Sequence, residues 1–258
     1  MAHEEFPSLN ITPGAIRFNT DSMKLEYFRI GTEGGSTSSY AGIGTMAVGE
    51  WVQITTDTPD IHTGGTRGLF MGGGPSVTDT IDYITVDTTG NATDFGDIHL
   101  TRWTGGSAAS STRAVHAGGE RTSPTAIVNN IDFGTFASTG NFADFGDLAT
   151  AVGQGVGGAS SSTRGVFLGG GTPSKSDVIQ YITIASTGNA LDFGDLSYTA
   201  DAQAEGVCGS STRGIAAGGN TGSKIDNISF ITISTLGNAA DFGDLTLARG
   251  TAGTGSNA

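Results

Sequence analysis

Residues 162–196 read STRGVFLGGGTPSKSDVIQYITIASTGNALDFGDL, and variants of this stretch occur four times along the chain. The phenylalanine of its DFGD motif recurs about every 50 residues, at Phe95, Phe145, Phe193 and Phe242. The arginine of its TRG motif keeps the same spacing, at Arg67, Arg113, Arg164 and Arg213. An internal repeat of this length indicates similar supersecondary units that bury their apolar faces against one another.

Each unit has the pattern of β-strands. Residues 177–184, DVIQYITI, are rich in β-branched residues and carry apolar groups on both alternating faces, which is typical of a strand covered on both sides. No window shows a helical apolar period, and Ser, Thr and Gly are too frequent for helices. Between this strand and the preceding TRG strand lies a stretch of variable length, rich in Ser, Thr, Pro and Asn. We expect it to form a solvent-facing hairpin tip.

A glycine pair followed by two spaced aromatic residues, at a period near 50, is the kelch pattern of β-propellers. The glycine pairs are Gly72-Gly73, Gly118-Gly119, Gly169-Gly170 and Gly218-Gly219. The first aromatic residues are Tyr83, Phe133, Tyr181 and Phe230, each twelve residues before the DFGD phenylalanine. That phenylalanine replaces the kelch tryptophan, so the sequence predicts an all-β, divergent kelch-like β-propeller. The glycines suit the end of an inner strand, which would make the TRG strand the innermost.

The two ends of the chain predict a fifth blade. The C-terminus stops where a further TRG strand would begin, and three N-terminal stretches, residues 15–19, 24–28 and 50–54, resemble the missing strands. Trp51 would take the place of the DFGD phenylalanine. Joining both termini in one blade would leave no free sheet edge. A four-bladed ring with a separate N-terminal hairpin is the alternative, and a β-solenoid is a third and weaker one.

The expected organisation is a single propeller domain over residues 1–258. Residues 1–56, which include a glycine- and serine-rich insertion at 29–49, would complete the closing blade together with a closing strand at 246–258. The repeat blades would occupy residues 57–98, 99–148, 149–196 and 197–245.

Composition excludes several classes of protein. The 258 residues include 43 glycines without the spacing of collagen, only 14% are charged, and the formal net charge is −13. No apolar run is long enough for a membrane-spanning helix, and so acidic a chain has no footprint for nucleic acid or anionic lipid. The lone cysteine, Cys208, cannot form an internal disulfide. The N-terminus MAHEEFPSLN shows no signal-peptide pattern.

Four pairs of aspartates recur with the DFGD motif, at Asp94/Asp97, Asp144/Asp147, Asp192/Asp195 and Asp241/Asp244. Two facing carboxylates could act as acid and base or bind a hard cation. A catalytic pair is needed only once, whereas these pairs occur in every unit. We therefore predict turn capping and inter-strand hydrogen bonds, with weak calcium sites or catalysis as the alternatives. No catalytic residue, cofactor site or metal site is expected.

The four repeated arginines are predicted to be structural as well. Because the guanidinium fork matches a carboxylate, we expect each one to pair with a carboxylate of its own or a neighbouring blade. A ring of arginines that binds a ligand is the alternative. On the paired interpretation, replacing Arg164 with alanine should strand a buried carboxylate and destabilise the fold.

Three single residues complete the set of candidates. Trp103 follows Thr101-Arg102 where sister units carry small residues, so it is the one candidate for contact with a partner, by stacking on a sugar or a protein. Ordinary packing under a loop is the alternative. His116 aligns with Phe70 and Phe167, which predicts a packed side chain, and the four histidines lack metal-binding spacing. Cys208 is expected to be a small buried thiol.

Two features resemble proteins of tailed bacteriophages. The N-terminal stretch ITPGAIRFNTDSMKLEYF…GEWVQI is similar to a short β module common in virion proteins. The repeat STRGVFLGGG…VIQYITIASTGNALDFGDL resembles glycine-rich, kelch-like repeats in structural proteins of marine phages, notably those that infect cyanobacteria. The resemblance covers nearly the whole chain. It implies a fibre, an appendage or a head decoration, and it transfers no catalytic residue.

The expected function is that of a non-enzymatic structural protein on the outer surface of a virion. As a tail-fibre or appendage component it would contact glycan on the host surface. The alternative is a head, neck or tail decoration subunit that docks on other virion proteins, and a glycan-binding or glycan-degrading propeller is weaker. The expected partners are other virion proteins, host glycan and further copies of the chain, without nucleic acid, membrane insertion or a cofactor.

Overall fold

In the computed structural model, every regular element among the described residues is a β-strand, and the prediction of an all-β chain is confirmed. None of the described segments forms a helix with the length and hydropathy needed to cross a membrane. The chain divides into two compact units, Met1–Asp60 and Ile61–Ala258, so a single domain over the whole chain remains a prediction. The structure describes residues 15–19, 24–30, 49–53, 66–74, 77–122, 124–153, 155–171, 175–200, 206–250 and 254–256.

The N-terminal unit contains one three-stranded antiparallel sheet. Its strands are β1 (Ile16–Asn19), β2 (Lys24–Ile30) and β3 (Gly49–Gln53), in that order across the sheet. Arg17 pairs with the buried Glu26 of the neighbouring strand at 2.8 Å. Most of the predicted insertion at 29–49 and the side chain of Trp51 lie outside the description. The predicted strands are therefore present in the expected order.

The second unit contains four consecutive antiparallel sheets, one for each sequence repeat, which we name sheets A to D. Sheet A has three described strands, and the other three sheets have four. Sheet A contains β4 (Arg67–Gly73), β5 (Thr78–Thr85) and β6 (Thr93–Asp97). Sheet B contains β7 (Gly106–Ala109), β8 (Arg113–Ala117), β11 (Asn130–Thr135) and β12 (Ala143–Asp147), with an added hairpin of β9 (Glu120–Thr122) and β10 (Thr125–Ile127). Sheet C contains β13 (Gly157–Ser160), β14 (Arg164–Leu168), β15 (Ser176–Thr183) and β16 (Leu191–Ala200). Sheet D contains β17 (Gly206–Gly209), β18 (Arg213–Ala217), β19 (Asn227–Thr232) and β20 (Ala240–Asp244).

The first strands of sheets B, C and D correct the predicted strand order. The TRG strand, expected to be innermost, is the second strand, and the short β7, β13 and β17 precede it. These first strands lie close together: a Cβ on Gly158 would overlap the Ser107 carbonyl oxygen, and one on Gly157 would overlap the Val207 side chain. The backbone crowding expected after the TRG strand therefore also occurs here, where only small residues fit.

The hydrophobic core lies between successive sheets. Phe145 of sheet B packs with Phe167 and Ile182 of sheet C, and Phe193 of sheet C packs with Ile231 of sheet D. The third strands of sheets B and C are thus covered on both faces, as their doubly apolar pattern predicts. The predicted hairpin tips are confirmed as the loops that join the second and third strands.

A second connection joins each outer strand to the next sheet. The Gly140 and Phe142 amides of sheet B donate to the Phe95 and Asp97 carbonyls of sheet A, and sheets B, C and D repeat this pattern. Gly96 is required by the close approach, because a Cβ there would lie 2.5 Å from the Gly140 carbonyl carbon. The glycines of the DFGD and TGN motifs therefore fix the spacing of neighbouring sheets.

The last described residues extend the same arrangement beyond sheet D. Thr254 Oγ1 donates to the Val207 carbonyl at 2.7 Å, and Ser256 Oγ donates to the Gly209 carbonyl at 2.6 Å. By alignment of the repeats, Thr254 corresponds to Gly158, which faces the equivalent carbonyl of Ser107 in the sheet before its own. Residues 254–256 thus bond to the first strand of sheet D without forming a regular strand, and the closing strand at 246–258 stays a prediction.

Candidate functional site

Within the described part of the chain, none of the four repeated arginines forms an ion pair with a carboxylate, contrary to the prediction. Arg67 Nη1 donates to the Phe136 carbonyl at 2.6 Å, and Arg164 Nη1 donates to the Ile233 carbonyl at 2.6 Å. Arg113 likewise donates to the Ile184 and Ala185 carbonyls of the following sheet. These three guanidinium groups thus donate to main-chain oxygens, which need donors because they lie at the end of a strand.

Each of these arginines also stacks on the first aromatic residue of its own sheet. The guanidinium carbon lies 4.6–4.9 Å from the ring centroid in all four pairs: Arg67–Tyr83, Arg113–Phe133, Arg164–Tyr181 and Arg213–Phe230. The same ring meets the DFGD phenylalanine edge to face. The arginine, the aromatic residue and the phenylalanine therefore form one recurring stack that stabilises each sheet.

Sheet D differs from the other three sheets at its outer face. Arg213 stacks on Phe230 as its counterparts do, but no carbonyl among the described residues accepts from its guanidinium. Phe242 is 52% exposed, whereas the equivalent Phe193 is 2% exposed. The contacts that a following sheet provides elsewhere are thus not made at sheet D within the described part of the chain.

The repeated aspartates cap turns and do not converge. The Asp94 and Asp241 carboxylates accept from the amides of Gly96 and Gly243, two residues on, at 3.2 Å each. The Asp97 amide donates to Asn141 Oδ1 of the next sheet, and Asp147 and Asp195 make the equivalent bond to Asn189 and Asn238. No group of three potential metal ligands occurs among the described residues. The observed bonds are of the capping and inter-strand kind.

Among the described residues, one ion pair has both side chains fully buried, and it lies in sheet B. Arg102, in the connection that enters the sheet, forms an ion pair with Asp132 of β11 at 2.8 Å, and neither side chain is exposed. Arg102 Nη2 also donates to the His116 carbonyl at 3.1 Å. The sister positions of Asp132 hold Asp82, Gln180 and Ser229, so the ion pair breaks the repeat.

Electrostatics in this cluster favour uncharged His116. Burial, together with the positive charge of Arg102, lowers the pKa of His116 to about 3. Burial also raises the pKa of Asp132, against the opposing effect of Arg102. His116 Nδ1 lies 3.4 Å from Ser107 Oγ, and its ring is packed against Gly105. His116 is therefore the packed side chain that its alignment with phenylalanine predicts.

Trp103 is not an exposed stacking platform. Its backbone forms a two-bond bridge with Glu120, the amide of each donating to the carbonyl of the other at 3.1 and 2.9 Å. The side chain is half-buried, and its indole nitrogen is buried without an acceptor among the described residues. The alternative interpretation, packing beneath the β9–β10 hairpin, agrees with this geometry. Cys208 is a half-buried free thiol.

The variable loops share one end of the sheets, which we name the loop face. Its described residues belong to the second-to-third-strand loops, namely Gly74, 118–122, 124–129, 169–171 with Lys175, and 218–226. The connections between sheets lie at the same end. The Gly73, Gly119 and Gly219 amides bond to the carbonyls of Arg102, Val152 and Arg249. Each loop therefore starts from a fixed anchor and then differs in length and sequence.

Sequence reasoning missed the first strands and the Arg102–Asp132 pair. The first strands read GSAA, GGAS and GVCG, and the only signal for them was a run of small residues before each TRG motif. Arg102 and Asp132 were visible as charged residues in apolar surroundings, but nothing in their spacing links them. Arg249 aligns with Arg102 after the last repeat, and this second arginine was the one hint that the position of Arg102 has a role.

No protein-family profile and no curated protein matches the chain. Among solved structures, the chain is similar to YjhT, with a TM-score of 0.53 and 11% sequence identity. The match covers 67% of this chain and 62% of YjhT, so it spans less than two thirds of that protein. At this identity the likeness concerns the fold alone.

This comparison corrects the prediction that the chain is not an enzyme. The likeness to YjhT concerns the fold alone and gives no support to a protein without catalysis. The sequence argument against catalysis was that the aspartate pairs recur in every unit, whereas a catalytic pair is needed only once. Among the described residues, the buried pair of Arg102 and Asp132 is a titratable pair that does not recur with the repeat. The likeness assigns no reaction to this chain.

Proposed function

We propose that this chain is a structural protein of a bacteriophage virion, a tail-fibre or appendage component that contacts glycan on the host surface through its loop face. The resemblance of the repeats and of the N-terminal stretch to phage virion proteins supports the assignment to a particle. The outer surface of the virion is the matching location, and other virion proteins are the matching docking partners.

The observation that carries this proposal is the separation of a fixed frame from variable loops. The frame repeats the same contacts: the arginine stack, as in Arg164–Tyr181, occurs in all four sheets, and a bond such as that from the Asp195 amide to Asn238 joins each pair of successive sheets. The loops start from equivalent glycines and then diverge, up to the added β9–β10 hairpin of sheet B. A rigid frame that presents variable loops at one end suits recognition of a changing surface.

We also infer that the frame is a five-bladed propeller, with sheets A to D as four of its blades. The N-terminal sheet has three strands in the order of the second, third and fourth strands of a blade, and residues 254–256 would supply a first strand. On the outer face of sheet D, Phe242 is exposed and Arg213 lacks a carbonyl acceptor among the described residues. A fifth blade would cover the one and supply an acceptor to the other.

Arginine substitutions test the fifth blade. If a closing blade supplies the acceptor, Arg213→Ala should lower the free energy of unfolding as much as Arg164→Ala, by about 2 kcal/mol each for the lost stacking and charge-assisted bond. Urea unfolding followed by circular dichroism measures both variants. A closing blade is excluded if Arg213→Ala is neutral while Arg164→Ala is destabilising.

Immunogold electron microscopy tests the proposed function. Purified phage particles whose genome encodes this chain would be labelled with antibody raised against it. Label at fibre tips or at the tail end supports a component that contacts the host. Label on the head, the neck or along the tail identifies a decoration subunit instead, and particles without label contradict the virion assignment.

A further inference from the structure

The chain has three lysines, and two of them lie in equivalent loops of adjacent sheets. Lys175 follows the second strand of sheet C, where it forms an isolated bridge with Gly171. Lys224 occupies the same loop of sheet D, where it bridges Asn220. Both loops belong to the loop face, so a chain with a net charge of −13 places these two cations together at one end.

The Lys175 ammonium lies close to the turn of the sheet D loop, which also carries Lys224. Lys175 Nζ lies 4.0 Å from the position that a Cβ on Gly222 would take, and Gly222 is two residues from Lys224. The turn is held in shape because the Gly222 amide donates to Asn220 Oδ1 at 3.0 Å. Gly222 has a φ of +125°, which any other residue would adopt only with strain. The loop therefore presents a fixed backbone beneath the Lys175 ammonium.

Neither ammonium group is neutralised within the described residues, where no ion pair involves Lys175 or Lys224. The nearest acidic residues along the chain are Asp177 and Asp226. Asp177 is engaged across its sheet, where its Oδ2 accepts from Thr199 Oγ1 at 3.0 Å. Two neighbouring cations without counter-charges repel each other, and an anion bound between them would relieve that repulsion.

The other cations of the Ile61–Ala258 unit have structural partners. The four TRG arginines stack on aromatic rings, and Arg102 is buried against Asp132. Arg249 Nε donates to the Leu247 carbonyl at 3.4 Å, and Arg121 has an interaction of its own. The two lysines are therefore distinguished from the arginines by being available to a ligand.

The chemistry of the surrounding loop favours a sugar over a protein. Thr221 and Ser223 supply hydroxyl groups, and Asn220 supplies an amide. No large apolar side chain is exposed among the described residues 169–171, 175 and 218–226, whereas protein interfaces are anchored by such side chains. Ammonium groups flanked by hydroxyl groups suit a carboxylated, sulfated or phosphorylated polysaccharide.

We propose that the loops of sheets C and D bind an anionic polysaccharide, with Lys175 and Lys224 contacting its acidic groups. This inference rests on the proposed glycan contact and names the class of glycan. The rest of the surface is acidic and repels a polyanion, so we expect the polysaccharide to bind only at this end of the molecule.

Binding of the full chain to immobilised dextran sulfate, with uncharged dextran as the comparison, tests this inference. We expect retention on dextran sulfate that weakens with added salt, and none on dextran. The double variant Lys175→Gln/Lys224→Gln should bind dextran sulfate about tenfold more weakly. The control variant Thr139→Glu/Thr187→Glu changes the net charge by the same amount at the opposite ends of the strands, where both threonines are exposed, and should bind within about twofold of the parent.

Three results would overturn this inference. None of them would contradict the proposed function, which is tested separately by immunogold labelling of phage particles. Equal binding to dextran and dextran sulfate would show a glycan contact that does not depend on charge. An equal loss in both double variants would assign binding to overall charge. Retention on polyglutamate that is as strong as on dextran sulfate, and is lost in the lysine variant, would show a site for any polyanion. Unfolding of each variant by urea confirms that the compared proteins are folded.

Discussion

The ion pair of Arg102 and Asp132 is the single interaction whose loss should destabilise the fold most. The two side chains meet at 2.8 Å, and both are fully buried. Asp132→Ala leaves a guanidinium that cannot release its proton, buried without a counter-charge. Removing one partner of such a pair costs about 3–5 kcal/mol. In a unit of this size, we expect the melting temperature to fall by about 6–20 °C.

Urea unfolding and thermal scans measure this effect against a matched control. Asp82 is the equivalent residue of sheet A and is exposed, so Asp82→Ala should change the free energy of unfolding by less than about 0.5 kcal/mol. The double variant Arg102→Met/Asp132→Ala removes both charges. Its cost should be smaller than the sum of the two single costs, because no unpaired charge remains in the interior.

Two outcomes would refute this reasoning. A loss below about 1 kcal/mol in Asp132→Ala would mean that solvent reaches the guanidinium, contrary to its complete burial. Additive costs in the double variant would mean that the two side chains are not energetically coupled across 2.8 Å.

Three further predictions concern other contacts. Gly158→Ala should cost about 2–3 kcal/mol in urea unfolding, because its Cβ would overlap the Ser107 carbonyl, whereas Gly90→Ala, which meets no atom within 4 Å, should be close to neutral. Since the pKa of His116 is about 3 in the folded chain and 6.5 is its ordinary value, stability should fall as the pH decreases through this window, and His116→Phe should remove about 4 kcal/mol of that change; an unaltered pH profile would contradict it. Asn141→Ala should speed hydrogen exchange of the Asp97 amide severalfold, whereas the Asp147 amide, bonded to Asn189, should keep its rate.

The repeat made much of the fold predictable, and composition explains what it did not reveal. Third strands such as β15 have β-branched residues on both faces, so their pattern alone predicts a covered strand. The first strands of sheets B and C consist of glycine, alanine and serine, which carry little strand preference. Their conformation is imposed by packing, as the contact of Gly158 with Ser107 shows. A tertiary cause of this kind leaves only a run of small residues in the sequence.

Prediction of the candidate site from the sequence was limited in a similar way. The recurrence of Arg164 and its sisters predicts a structural role, but charge alone suggests a carboxylate partner. The observed partners are a backbone carbonyl and an aromatic face, at Ile233 and Tyr181. Every residue supplies a carbonyl, so no side-chain pattern can identify the acceptor. The free Lys175 and Lys224 were equally hidden, because their nearness depends on how two adjacent sheets pack.

At one interior position, the residue before the first aromatic of sheets B, C and D, a substitution is tolerated only if its hydrogen-bonding partner changes with it. This residue bonds to a residue that precedes the first strand of its own sheet: Asp132 to Arg102, Gln180 to the Thr150 amide and carbonyl, and Ser229 to Ser197 at the end of β16. The three partners differ chemically, and each gives this interior position a polar partner. A change on one side alone would leave an unpaired polar atom in the core. Because these connections also anchor the loop face, the same pairing holds the loops in place while their tips vary.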